Sequence, residues 1–409
     1  MEQRNHGVSR RHLLRQAAGA AAGAGWSFYV ITRSRTARAG EASAFRVGAL
    51  GPLTDFTGRD ILRAAQMAAE EINQAGGVLG RPVEVVPADE GDPEQTVRAF
   101  QQLVTRDRVH AVVGGFRSGV ILAVLPHVAR ARIPFIITGA ASPDITKDVR
   151  RNYRSFKYIF RAWVNSNRQA VNLAGVVKEI LNGQAGFTRF AIDAENLKWA
   201  RDYVDILKPL LLQSGFDVVY ETFHDPAITD FSPIFEAASR ARAQVLLEII
   251  SNQAGYTIVK QWKAQRPRFA LAGNNNPSYL VSSFWRDTEG ACEYELSAYV
   301  KAPLSSKSLD FWARFEARHK ESPFYTGTGA YDAVYLLKLA AERAGSFGAD
   351  ELVEALEQSD YEGVIGRIRF DEDHEATIPL PYGQWIKGNK VAVWPERFSL
   401  GRYQVPPWL

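Results

Sequence analysis

Apolar residues recur every three to four positions at Ile61, Ala65, Ala68 and Ile72, the stripe of a helix laid against a sheet. Asn73, Gly76 and Gly77 end that stripe, because glycine enters the left-handed conformation without a Cβ clash. Gly80-Arg81-Pro82 turns the chain into Val83, Val85 and Val86, a buried strand. With a strand at 45–50 ahead of it, this is one strand-loop-helix-strand unit. Further strands are expected at 109–114 and 133–138, with helices between, and Asp92 before Pro93 with Gln95 three residues on is a capping-box arrangement. A second series has strands near 188–193, 216–220, 244–250 and 268–272 and helices near 197–214, 233–242 and 254–264. Ser232-Pro233 reads as a cap and first turn. Two such arrays predict an α/β protein of two lobes, each a parallel sheet covered on both faces by helices. Residues 311–345 supply more helix: Tyr331, Val334 and Tyr335 begin an apolar stripe, Lys338 breaks the repeat and Leu339 resumes it. Residues 382–394, with Trp385, Ile386, Val391 and Val393 around Gly388-Asn389, read as a closing hairpin.

Charge changes the picture only at the N-terminus. The chain is +4 overall, but residues 1–39 carry seven Arg against Glu2 alone, so the leader is +6 and the rest −2. No nucleic-acid reading survives that subtraction. The leader has a basic start, an Ala/Gly-rich run from Gln16 to about Thr32 and a small-x-small pattern at Ala37-Arg38-Ala39. Ser9-Arg10-Arg11-His12-Leu13-Leu14-Arg15 resembles the twin-arginine export signal, which implies the Tat export machinery as a partner. An uncleaved anchor is the alternative, but the run is short and Gly-broken against the roughly 20 apolar residues of a spanning helix. The exported protein is expected to begin near Gly40, soluble and without a lipid. Cys292 is the only cysteine, which excludes an intramolecular disulfide and a Cys-based zinc cluster.

In open parallel sheets, ligands bind beyond the carboxyl ends of the strands. Two loops of the first series qualify, Gly114-Gly115-Phe116-Arg117-Ser118-Gly119 and Thr138-Gly139-Ala140-Ala141-Ser142-Pro143. Their small residues let a ligand approach the backbone, and free N–H groups at a helix start favour an anion. Ser118 and Ser142 either donate to that ligand or cap their helices, and composition weighs the two evenly. In the second series, Glu195-Asn196-Leu197-Lys198-Trp199, Ser251-Asn252-Gln253 and Asn274-Asn275-Asn276 end strands on the same side. Arg117 and Arg161 either grip a ligand carboxylate or form internal salt bridges.

GALGPLTDFTG (48–58), QMAAEEINQAGGVLGRPVEVVPADEGD (66–92), DPEQTVRAFQQLVTRDRVHAVVGGFRSG (92–119) and IPFIITGAASPDIT (133–146) together resemble the leucine/isoleucine/valine-binding family, the type I periplasmic binding proteins that feed ABC importers. The resemblance implies two Rossmann-like lobes joined by a three-segment hinge, with crossings near 162–165, 297–302 and 363–372. Lobe 1 would be 40–163 plus 300–362, and lobe 2 would be 164–299 plus 363–409. It implies an α-amino-acid carboxylate role for Ser118, Ala140, Ala141 and Ser142, ligand contact at Phe56 and Thr57, and an aromatic lid at Trp199. Asn252 and Asn274 join the expected ligand set, with Arg117. The asparagine run stands where such relatives often place an acid for the ligand ammonium, so Glu195 or Glu248 is needed as counter-charge; Glu248, inside an apolar strand, could equally be edge-exposed.

No reading as an enzyme emerges. Gly115-Phe116-Arg117-Ser118-Gly119 places its serine one position late for a nucleophile elbow, His374-Glu375 lacks a zincin's second histidine, and Asp371-Glu372-Asp373 lacks the EF-hand glycine. His110 and His127 are expected in structural or surface roles. The expectation is a periplasmic, cofactor-free solute-binding component that takes a small amino-acid-like ligand by hinge closure and presents it to an inner-membrane ABC permease. The alternative is a sensor of amides, urea or aromatic carboxylates coupled to a signalling partner.

Overall fold

A computed structural model describes residues 43–409, so the expectations for the leader and its cleavage lie outside the described residues. Strands β1 (Phe45–Gly51), β2 (Val83–Asp89), β3 (Ala111–Gly114), β4 (Phe135–Ile137) and β5 (Ile159–Arg161) form an all-parallel sheet in the order β2-β1-β3-β4-β5. The next five, β6 (Arg189–Glu195), β7 (Asp217–His224), β8 (Val245–Ile250), β9 (Ala270–Asn275) and β10 (Leu296–Ala298), repeat that order as β7-β6-β8-β9-β10. A separate hairpin pairs β11 (Tyr361–Gly363) with β12 (Gly366–Ile368). The expected closing hairpin, β13 (Tyr382–Ile386) and β14 (Asn389–Trp394), extends the second sheet antiparallel beside β10. In each sheet the first strand connects outward to the second and then back across to the third. A crevice opens at that reversal beyond the carboxyl ends, between β1 and β3 and between β6 and β8.

The first helix, Phe56–Gln74, buries Ile61, Ala64, Ala65, Ala68 and Ile72, the stripe seen in the sequence. Its entry is tightly fixed: a Cβ on Gly58 would lie 2.3 Å from the backbone of Pro52, so only glycine lets the loop after β1 fold back onto the helix. The capping box closes with both arms, Asp92 accepting from the Gln95 amide at 2.8 Å and the Gln95 side chain accepting from the Asp92 amide at 3.2 Å. Ser232 departs from expectation. It lies inside the helix Ser232–Arg240, where Asp230 accepts its amide at 2.9 Å and its own hydroxyl oxygen accepts from Gln265 Nε2 at 2.8 Å instead of capping.

The helix Tyr325–Ala344 packs along Phe56–Gln74 and buries Tyr331, Val334, Leu337 and Ala341. Leu339 does not resume the apolar face; it is exposed, and the buried stripe continues through Leu337 while Lys338 pairs with Glu342. On the same helix Asp332 is buried and accepts the amides of Val364 and Ile365, which ties the β11–β12 turn to the helix layer. Burial pushes its carboxyl up to about 7. Phe370 and Ala376 then pair antiparallel with each other, and Glu375 bridges Arg161 in parallel at the end of β5. Glu248 is not at an edge: it is fully buried in β8 between β6 and β9.

Candidate functional site

A cavity of about 930 Å³ lies where the two crevices face each other, and both sheets' reversal-point loops line it. The loops after β1, β2 and β3 contribute Thr57, Glu90, Phe116, Arg117 and Ser118, and the one after β4 contributes Gly139 and Ala141. The loops after β6 and β8 contribute Leu197, Lys198, Trp199, Ser251 and Asn252. Trp163, Gln169, Asn276 and Tyr325 complete the wall. Four aromatics therefore face a modest set of polar groups, the composition expected of a small-molecule site. Trp163 and Tyr325 stack at 4.3 Å between ring centroids, and the Tyr325 hydroxyl donates to Gly139 O at 3.1 Å.

Of the ten residues expected to touch a ligand, Thr57, Arg117, Ser118, Ala141, Trp199 and Asn252 line the cavity. Four stand behind its wall, each for a physical reason. Phe56 packs edge-on against Phe324. Ala140 is fully buried, with its amide on Gly115 O and its carbonyl on Arg161. Ser142 caps the following turn by accepting the Asp144 amide and donates to Asp202 at 2.6 Å. Asn274 is held between Gln169 at 2.5 Å and the Tyr279 hydroxyl.

The expected anion-binding amides are already engaged within the chain. The Ala141 and Ser142 amides both donate to Ser118 Oγ at 3.1 Å. In the glycine loop, the Phe116 and Arg117 amides each donate at 2.7 Å to the buried carboxylate of Glu90, and Arg117 Nε adds a contact at 3.2 Å. Arg117 thus takes the salt-bridge role, and so does Arg161, which is fully buried against Glu375 at 2.5 Å. Burial raises Glu90 from the usual carboxylate range, against the amides and Arg117 that pull it down.

Glu195 is similarly placed on the opposite wall. It receives Trp199 Nε1 at 2.5 Å, Asn252 Nδ2 at 2.8 Å and the Ser251 hydroxyl, so it fixes the Trp199 indole. Glu248 lies deeper, where burial and the neighbouring Glu295 push its carboxyl well above the usual carboxylate range. Neither supplies an open counter-charge. The acids that do line the cavity are Asp55, Asp89, Glu90 and Asp92, all on the first-sheet side.

Sequence reading missed Glu90, Trp163, Gln169 and Tyr325. Glu90 carried a usable signal, since it follows β2 directly at the reversal point of the first sheet. The other three come from segments with no motif: Trp163 just after β5, Gln169 in the helix Ser166–Val176 and Tyr325 at the start of the helix Tyr325–Ala344. The walls also touch each other: Lys198 bridges Asp144 at 2.8 Å, and Ser166 Oγ donates to Trp199 O at 2.9 Å and Ala141 O at 3.1 Å. Among the described residues no helix is long and apolar enough to cross a membrane.

Residues 45–390 match the family model described as periplasmic binding protein. The chain is 26% identical over 357 residues to the Leu/Ile/Val-binding protein BraC3 of Rhizobium johnstonii, covering 85% of this chain and 93% of that one. A solved structure of a branched-chain amino acid ABC transporter protein, a provisional assignment, from Silicibacter pomeroyi superposes with a TM-score of 0.79 at 19% identity, covering 90% of this chain and all of that one. A solute-binding protein of an R. palustris ABC transporter, solved with benzoate, gives a TM-score of 0.75 at 18% identity over 86% of this chain and 95% of that one.

Proposed function

The chain belongs to the periplasmic binding protein family, and on that premise we propose that it is the solute-binding component of an ABC importer, holding a small amino-acid-like ligand between its two lobes. The observation that supports this reading best is the cavity itself, built from the reversal-point loops of two sheets with the same strand order. Such a ligand bridges elements that are separate in sequence, so it favours the arrangement in which both walls are engaged. About 5 kcal/mol of differential binding converts a mostly open population into a mostly closed one. A micromolar ligand carries about 8 kcal/mol, so moderate affinity suffices. The role places the mature protein in the periplasm, beside an inner-membrane permease that reads the closed form.

We place the hinge crossings after β5, after β10 and between Ala376 and Tyr382. The third falls later than 363–372 because Glu375 and Ala376 still bridge Arg161 beside the first sheet. The test is a thermal-shift screen of ligand-stripped protein against amino acids, amides and aromatic carboxylates, followed by X-ray scattering with any hit. At a hundred times its dissociation constant a ligand adds about 2.7 kcal/mol, which raises the melting temperature by roughly 3 °C. The expected result is at least one such hit together with a smaller radius of gyration. A saturating hit that leaves the radius unchanged would rule out closure.

A further inference from the structure

A carboxylate of the protein sits on the first-sheet wall where a ligand anion would otherwise bind, and another stands behind the second-sheet wall. On the first-sheet wall, the amides of Phe116 and Arg117 precede the helix Ser118–Ala131 and form the kind of nest that captures anions. Glu90 fills it, its side chain completely removed from water and held by two amides and the Arg117 guanidinium. On the second-sheet wall, Glu195 collects the indole, hydroxyl and carboxamide donors of Trp199, Ser251 and Asn252. In the intervening loop the Ala141 and Ser142 amides are on Ser118 Oγ, which leaves the Ser118 hydroxyl proton as the donor on that side of the cavity.

The rest of that end of the cavity is acceptor-rich. Asp55, Asp89 and Asp92 line it, each using one oxygen for a backbone amide, of Thr57, Leu53 and Gln95 respectively. The cations lining the cavity are engaged elsewhere, Arg117 with Glu90, and Lys198 with Asp144 and Asp202. A carboxylate entering here meets like charge and occupied amides, and two carboxylates sharing such a space cannot both remain ionised cheaply.

We propose that Glu90 is a specificity-determining residue: it fills the anion nest of the first-sheet wall, so a ligand carboxylate finds no free amide there, and the exposed acceptors beside it, Asp55, Asp89 and Asp92, take a hydrogen-bond donor of the ligand, an ammonium or carboxamide N–H. This deepens the solute-binding reading and rests on the cavity being the ligand site. An amino-acid-like ligand then enters with its ammonium toward Asp55, Asp89 and Asp92 and its carboxylate away from the filled nest.

The test is calorimetric titration of sodium benzoate, and of benzamide, into wild type, Glu90→Ala and Glu90→Gln. Removing Glu90 frees two amides beside the Arg117 guanidinium. Glu90→Ala is therefore expected to bind benzoate at least ten-fold more tightly than wild type, with Glu90→Gln moving in the same direction, because its side-chain oxygen is neutral. Wild type is expected to favour benzamide over benzoate. A folded Glu90→Ala that binds benzoate no better than wild type overturns the proposal, as does benzoate binding to none of the three. If neither variant folds, a wild type that binds benzoate as tightly as benzamide overturns it. The solute-binding reading fails separately, if ligands that stabilise wild type are indifferent to Trp199→Ala.

Discussion

Replacing Arg161 with Met is expected to lower stability by about 3–5 kcal/mol, the usual cost of removing one partner of a buried ion pair. The cost arises because Glu375 is left charged in a site from which water is excluded; Arg161 is 0% exposed and reaches it through Nε at 3.0 Å and Nη2 at 2.5 Å. Two further acceptors lose their donor, since Arg161 Nη1 holds Ala140 O at 2.9 Å and Ser142 O at 2.8 Å. The arginine thereby sets the loop that supplies Ala141 to the cavity. For a chain of this size the melting temperature should fall by roughly 5 °C. Removing the stranded charge as well, in Arg161→Met with Glu375→Leu, should recover much of the loss. Equal melting of wild type and single variant would mean that the pair does not hold this loop.

The second large effect is expected at Lys390, whose ammonium is buried inside the second lobe. Its three N–H groups are shared among four acceptors, Ser278 Oγ at 2.7 Å, Ser297 Oγ at 2.6 Å, Ala298 O at 3.0 Å and Ser278 O at 3.1 Å. Burial pulls its pKa down to about 8, against the attraction of Glu295, so it is still mostly cationic at neutral pH. Glu295 is reached through Ser278, whose hydroxyl donates to it at 3.0 Å. Burial raises both Glu295 and its neighbour Glu248, and Lys390 draws Glu295 back down. Lys390→Met removes the cation and leaves Glu295 and several acceptors unmatched, at about 3–5 kcal/mol. Adding Glu295→Gln should restore part of this in a chemical melt. A Lys390→Met protein as stable as wild type would show that Glu295 is not charged in the folded state.

The helical stripe at Ile61–Ile72, the capping box at Asp92 and the alternation of both series are local signals, and the sequence carried them. The loops at the carboxyl ends followed from topology, and six of the ten expected ligand residues do line the cavity. What failed was the assignment of donors to partners. Ser142 and Ala140 were read as open to a ligand, yet their polar groups are satisfied by Asp202, Arg161 and Gly115, residues separated from them by 19 to 60 positions or by a whole strand-helix unit. Glu90 shows the same limit more sharply. It lies 26 residues from Phe116, and only parallel pairing of β1 with both β2 and β3 brings that carboxylate to the glycine loop.

The central claim is that the cavity between the sheets is where this protein holds its ligand. The most direct test is calorimetric titration of the strongest ligand from the screen into wild type and Trp199→Ala, with folding of the variant checked by its circular dichroism. Trp199 lines the cavity and is fixed by Glu195, so its removal takes away an aromatic face and loosens the opposing wall. At least ten-fold weaker binding is expected. Unchanged affinity in a folded Trp199→Ala protein would place the ligand elsewhere and contradict it.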